Sequence, residues 1–142
     1  MYTAVYNFQD FLCLGADGIA GKTTWASLLS SRGNTARSAT AFDTSTRLTS
    51  TTANDLKNAG YTEVGRYLTN VEGSSLDKKM TNEELQIIED VGLKVFPIFQ
   101  TYGGEASYFN RYQGQRDAES ARAAAQSFGF PPKTTIYFAV DY

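Results

Sequence analysis

From Thr40 onward, short apolar segments rich in β-branched and aromatic residues alternate with stretches of helical pattern, and this alternation limits the possible folds more than any other feature. The apolar segments are Ala41-Phe42, Val64 to Leu68, Val95 to Phe99 and Ile136 to Val140, a composition that suits a pleated, half-buried surface. Between them the pattern predicts a helix from Thr81 to Gly92, with Thr81 and Glu84 as a capping box and Leu85, Ile88 and Val91 on one face. A second helix is expected over about Gln115 to Phe128, with Ala118, Ala121, Ala125 and Phe128 aligned and Gly129 as its stop. A weaker one covers Thr52 to Ala59 and stops at Gly60. Strands joined through helices need right-handed crossovers, so the sheet is expected to be parallel. Pro97 has no N–H to give to a ladder and points to a bulge or an edge. A closed (β/α)8 barrel takes about 250 residues, and the 142 residues here have room for half of one. The fold class expected is therefore α/β, the first half of a parallel barrel of TIM type preceded by a short two-helix segment.

The residues before Thr40 follow another rule. Val5, Phe8 and Leu12 fall at helical spacing, Gly15 to Gly21 interrupt, and Trp25, Leu28 and Leu29 give a second short apolar face. Two small helices joined by a glycine turn result, a unit too small to bury a core by itself. The polar run Ser30 to Thr35 reads as a linker. The expected organisation is a helical module over 1–32, a linker over 33–38 and the half-barrel over 39–142. Gly21-Lys22-Thr23 is not a phosphate loop, because GxxxxGK[ST] needs glycine where Ala16 stands.

Composition removes several chemistries. There is no histidine, which excludes Ser-His-Asp and Cys-His catalysis and HExxH zinc sites within the chain. Cys13 is the single cysteine, which excludes an internal disulfide, and its apolar neighbours suggest a small buried hydrophobe. With 13 Lys+Arg against 15 Asp+Glu there is no basic excess, and nucleic acid is not expected as a partner. No apolar run approaches the roughly 20 residues of a membrane span, and no signal peptide is visible at the start. Carboxylates are left as the agents of any catalysis, with neither cofactor nor metal expected.

Three of the four apolar segments finish on a polar group, at Asp43, Gln100 and Asp141, while the second ends less cleanly at Arg66-Tyr67-Leu68-Thr69. In a parallel sheet these ends share one rim, the usual place for α/β active sites. Two aspartates facing a cleft can divide acid and base roles, as in glycoside hydrolysis. The alternatives are that Asp43 caps the turn through Thr44-Ser45 and Asp141 opens a loop, or that the two hold a metal. Tyr102, Tyr108, Phe109 and Tyr112, near Gly103-Gly104, could stack on sugar rings or could simply seal the top of the barrel. The Ser/Thr-rich segment Thr44 to Thr52 reads as a solvated loop and helix cap.

Two resemblances cover most of the chain. Phe8-Gln9, Leu14, Asp17-Gly18-Ile19, Gly21, Thr24-Trp25-Ala26 and Leu28-Leu29 resemble the C-terminal half of the small peptidoglycan-binding module of bacterial wall hydrolases. Phe42-Asp43-Thr44, Gly65-Arg66-Tyr67, Pro97-Ile98-Phe99-Gln100, Gly114 with Asp117-Ala118, and Ile136 to Tyr142 are similar to a glycoside-hydrolase-like domain, domain of unknown function 1906, related to the family 25 lysozymes. That resemblance implies a (β/α) barrel with Asp43 as the first-strand acid and Asp141 as the fourth-strand acid, Tyr67, Gln100 and Tyr102 serving the substrate. It further implies peptidoglycan or a related glycan as partner, and an extracellular or cell-wall location for the parent protein. Those lysozymes carry a further catalytic Glu two residues after the fourth-strand Asp, beyond Tyr142, so the polypeptide is expected to be a fragment of a longer wall-directed enzyme. A non-catalytic glycan-binding protein is the alternative. A third possibility is a chain that folds poorly, because half a barrel leaves a parallel sheet open at both edges.

Overall fold

The computed structural model describes residues 2–12, 14–29, 38–102 and 104–140. Cys13, the linker residues 33–37, Gly103, and Asp141 with Tyr142 lie outside the described residues. The chain separates into two compact units, Met1–Ser38 and Ala39–Tyr142.

The first unit consists of α1 (Tyr2–Phe11) and α2 (Lys22–Leu29). Its described buried residues, Gln9 and Thr24, are both polar. The Gln9 amide nitrogen donates to Asp17 Oδ1 (2.8 Å), to the Ile19 carbonyl (3.0 Å) and to Thr24 Oγ1 (3.0 Å). Its oxygen accepts from the N–H groups of Asp17 (3.1 Å) and Gly18 (2.7 Å). One side chain on α1 thus closes the turn and fixes the start of α2, supplying by hydrogen bonds the cohesion that so small a unit cannot draw from apolar burial. Gly18 has φ +71°, and the Tyr2 ring lies where a side chain would begin, with Cε2 at 2.2 Å from the position of a Cβ. Both constraints demand glycine there.

The second unit is a mixed α/β structure of four parallel strands in the order β1-β2-β3-β4. The strands are β1 (Ala41–Asp43), β2 (Glu63–Tyr67), β3 (Lys94–Gln100) and β4 (Tyr137–Ala139). Between them run α3 (Ser50–Asn58), α4 (Asn82–Asp90), a 3-10 turn (Ala106–Tyr108) and α5 (Arg111–Ser127). The strands coincide with the four apolar segments. The register aligns Phe42, Val64 and Val95 across three strands, and these pack against Ala53 and Leu56 of α3 and Ile87 and Ile88 of α4. Leu68 and Phe99 meet Ala121 and Ala125 of α5 on the same side. All three helices therefore cover one face of the sheet.

A buried ion pair joins this helical layer together. Arg66, on the helix face of β2 and fully buried, donates through Nε to Glu84 Oε1 (2.7 Å) and through Nη2 to Oε2 (3.1 Å). Its remaining donors reach the carbonyls of Thr44 and of Lys78 (3.2 Å). Glu84 Oε1 also accepts from the Leu48 N–H (2.8 Å).

The structure corrects two expectations. The capping box at Thr81 and Glu84 is half made: Thr81 accepts from the Glu84 N–H (3.1 Å), but the Glu84 carboxylate turns inward to Arg66 instead of returning to the cap. The reciprocal box lies on α3, where Thr49 and Thr52 each accept from the other's N–H. Pro97 lies in a continuous inner strand, opposite Arg66. Lys94 N–H donates to Thr62 and the Ile98 carbonyl accepts from Leu68, so the even residues of β3 direct their backbone groups towards β2. Pro97, being odd, faces β4, whose pairing begins only at Tyr137 opposite Ile98. The missing N–H faces a stretch with no ladder to lose. Helix α5 also starts ahead of its apolar face, because the Asn110 side chain caps it by accepting from Gln113 N–H (3.0 Å).

Glu84→Gln or Arg66→Met alone should cost roughly 3–5 kcal/mol in urea unfolding, because each strands a buried charge. The double variant should recover part of that loss, and strict additivity of the two losses would contradict the coupling. In the first unit, Ile19 N–H and then the Gln9 amide hold the Asp17 carboxyl below its ordinary value. Its contribution is complete above the unfolded Asp pKa and disappears as pH falls through the lowered native value. Amide exchange at Gly18 should accelerate across that acid window, and Asp17→Asn should remove the pH dependence.

Candidate functional site

With the helices on one side, the register determines what the other side carries. Ala41 and Asp43, Gly65 and Tyr67, Phe96, Ile98 and Gln100, and Tyr137 and Ala139 alternate away from the helical layer. Within this unit, α3, α4 and α5 all pack on the opposite face. The side away from them holds Asp43, Tyr67 and Gln100, which are the last residues of β1, β2 and β3. The tips are stepped: Asp43 is opposite Gly65 and level with Phe96, Tyr67 pairs with Ile98, and Gln100 pairs with Ala139. At about 3.3 Å per residue, Gln100 stands about 13 Å further along the strand direction than Asp43.

Tyr67 and Gln100 are brought together by a residue that the sequence did not single out. Lys78 is 5% exposed. Its ammonium donates to Gln100 Oε1 and lies 4.3 Å from the centroid of the Tyr67 ring. The segment between β2 and α4 delivers it. Asn70 Oδ1 accepts from the N–H groups of Lys78 (2.9 Å) and Lys79 (2.8 Å), and Asn70 Nδ2 donates to Asp77 (2.9 Å). Met80 N–H then donates to the Tyr67 carbonyl (2.9 Å), and Lys79 pairs with Tyr67 along the edge where β1 has ended. No spacing rule flags a lysine inside a mostly polar segment such as Ser74 to Lys79.

Asp43 is exposed, and among the described residues its carboxylate has no hydrogen-bond partner. The turn after it is closed by Thr44, whose Oγ1 accepts from Thr46 N–H (3.0 Å), so Asp43 does not act as the cap. Tyr102 belongs to a different cluster. It packs edge-on against Tyr108 (6.0 Å between centroids), which packs edge-on against Phe109 (5.5 Å). Tyr102 and Phe109 border a cavity of about 190 Å³ whose walls include Phe99, Phe138 and Asp117. The Tyr108 hydroxyl donates to Asp117 (3.1 Å) and lies 2.8 Å from Thr101 Oγ1, whose hydroxyl can donate to it, and Gln113 donates to Asp117 (2.9 Å). Tyr112 stands apart, 68% exposed with the Arg116 guanidinium over its ring. Asp141 lies outside the described residues. Among those described, no three metal-ligating side chains gather and no helix is long and apolar enough to cross a membrane.

Comparison with known proteins matches the model of the Rv2525c-like, glycoside hydrolase-like domain to residues 54–142. The match includes Tyr67, Gln100, Tyr102 and Asp141, and Asp43 precedes it. Two similar relatives come from Bacillus subtilis (strain 168), both named as uncharacterized proteins. FadG is 53% identical over 135 residues, spanning 95% of this chain and 23% of FadG. YbfG is 54% identical over 143 residues, spanning 99% of this chain and 20% of YbfG. The chain thus corresponds to about a fifth of the length of these relatives. No solved structure matches it.

Gly65 is needed for close approach on the helix-free face, since the Phe96 ring lies 2.4 Å from where its Cβ would stand. Gly65→Ala should displace that ring and its edge-on partner Tyr137, 5.3 Å away. The expected loss is about 1–3 kcal/mol in urea unfolding, with a changed near-UV circular dichroism; a silent substitution would contradict this packing.

Proposed function

The chain belongs to the Rv2525c-like family of glycoside hydrolase-like domains, and from that premise we propose that its larger unit is the opening half of a TIM-type (β/α) barrel directed at a bacterial cell-wall glycan, peptidoglycan foremost. The observation that carries this reading is the helix-free sheet face on which the tips of β1, β2 and β3 present Asp43, Tyr67 and Gln100. Strand order without reversal and helices on one side are what a singly wound barrel requires.

On this reading Asp43 and Asp141 are the acidic pair. One protonates the leaving oxygen, and the other acts on the sugar or on water from the opposite side. Tyr67 offers an apolar ring face to a sugar, Gln100 a polar contact, and Tyr102 a flanking aromatic surface. The helical unit, through its resemblance to a wall-binding module, anchors the protein on the same polymer, which places the parent protein outside the cell or in the wall. A second reading, binding without cleavage, draws on the groups that do meet at the tips: a ring, an amide and an ammonium recognise a sugar and do not cleave it.

Purified peptidoglycan discriminates between them. The chain by itself is expected to pellet with it and not to cleave it, whereas a polypeptide in which further β/α units complete the barrel is expected to pellet and to release reducing ends. In that completed polypeptide Asp43→Asn and Asp141→Asn should each lower release by about 100-fold or more, the usual range for a lost acid or base. Release unchanged in both variants would remove the two acids from the mechanism. Pelleting without release by the completed polypeptide would establish the binding reading, and neither pelleting nor release would overturn both.

A further inference from the structure

We infer that the cavity beside the first turns of α5 is a binding site for a compact organic ammonium, with the Asp117 carboxylate as its counter-charge and the rings of Phe99, Tyr102, Phe109 and Phe138 among its walls. The ligand class is a protonated amine on an apolar body the size of a six-membered ring. The inference stands apart from the glycan reading of the strand tips, and either can fail without the other.

The argument begins with the charge at Asp117. The Gln113 amide nitrogen donates to Asp117 Oδ1 (2.9 Å) and to the Tyr108 oxygen (3.1 Å). The Tyr108 hydroxyl hydrogen is left for the carboxylate, whose Oδ1 and Oδ2 lie 3.1 and 3.2 Å away. Two neutral donors thus orient the group, and among the described residues no cation pairs with it. An ionised carboxylate offers about four lone-pair sites and can only accept, so a ligand atom that meets it from the cavity has to be a donor.

The remaining walls decide which donor. The volume is about 190 Å³, somewhat more than the ~150 Å³ of an apolar cavity that holds benzene. One carboxylate among four aromatic rings is the wrong donor set for a metal ion, and no three metal-ligating side chains gather among the described residues. The same set suits an organic cation, which the rings attract through their π-systems and the carboxylate through its charge. An anion would meet Asp117 as a like charge. Helix α5 contributes Gly114 and Asp117, about one turn apart, to the same wall. A Cβ at Gly114 would meet nothing within 4 Å, so packing does not demand the glycine, and its missing side chain leaves the space beside Asp117 open.

Titrations of the full chain, followed through the backbone amide shifts of Thr101, Ala139 and Val140, test this. The probes are cyclohexylammonium, cyclohexanol and cyclohexanecarboxylate, which share a body and differ in charge. Cyclohexylammonium should bind about tenfold or more tightly than cyclohexanol, the scale of one charge-assisted hydrogen bond, and the carboxylate should not bind. Asp117→Asn should erase the preference for the amine while the alcohol still binds. Gly114→Leu should abolish binding of both with the unfolding midpoint kept, because it fills the cavity from a helix position where glycine is the poorer helix former. Equal affinity for amine and alcohol in the parent chain, or binding of the carboxylate, would overturn the role of Asp117. Binding retained in Gly114→Leu, or no shift at these amides with any probe, would overturn the site itself.

Discussion

The Arg66–Glu84 ion pair is the constraint from which the arrangement of the larger unit follows. A strand that runs Val64, Arg66, Leu68 on its buried face places a guanidinium between two apolar clusters, where an unpaired charge would be very costly. The structure meets that cost by saturating the pair. Glu84 takes two donors from Arg66 and one from Leu48, and Arg66 gives its remaining donors to Thr44 and Lys78 carbonyls. Those contacts come from three segments: α4, the β1–α3 turn, which supplies both Thr44 and Leu48, and the segment after β2. Replacing such a pair by apolar residues can leave stability unchanged, so its distinctive contribution here is geometric. It determines where three connecting segments end up relative to β2.

That geometry links the two faces of the sheet. Arg66 points into the helical layer, while its neighbours Gly65 and Tyr67 point the other way. By holding the Lys78 carbonyl from one side of the sheet, Arg66 sets the start of a side chain whose ammonium reaches Gln100 and Tyr67 on the other. Stability is concentrated on the helix side, in residues such as Val64, Ile88 and Phe99. The helix-free side carries polar tips that the core does not have to accommodate. A substitution in the ion pair is therefore coupled to the tips through one backbone segment, without any side chain of the pair touching them.

Much of this was legible in the sequence because it depends on periodicity. Strands β1 to β4 are the four β-branched and aromatic runs, and α4 and α5 were visible as apolar stripes ending near Gly92 and Gly129. What escaped was set by tertiary contacts. Glu84 occupies the third position of its helix, where a cap is the local expectation, and only the charge at Arg66 inside an apolar strand hinted at another partner. Pro97 was misjudged because the rule against proline concerns a strand paired on both sides throughout its length, and β4 begins one residue later. Lys78 gave no signal at all, since its burial depends on how Asn70 folds the segment back. Gln9 illustrates the opposite case: the motif linking it to Asp17, Gly18 and Thr24 was readable as a pattern, and the structure supplies its physical reason in five hydrogen bonds to one amide.

The last described strand differs from its neighbours in a way that bears on the barrel reading. Val64 and Phe99 are buried under helices, whereas β4 leaves Tyr137 51% exposed on the tip-bearing face and Phe138 47% exposed on the helix side. A parallel strand that is apolar on both faces suits burial on both. Phe138 meets Phe99 at 5.3 Å and borders a cavity with Gly114 and Asp117 of α5, yet it stays half exposed. In a barrel, the crossover helix following β4 would pack on Phe138 and Val140, and further strands would enclose Tyr137 against Phe96. The same closure would turn the open face bearing Asp43, Tyr67 and Gln100 into the mouth of a pocket. The unsatisfied apolar surface and the proposed site therefore call for one and the same completion, through whichever further β/α units supply it.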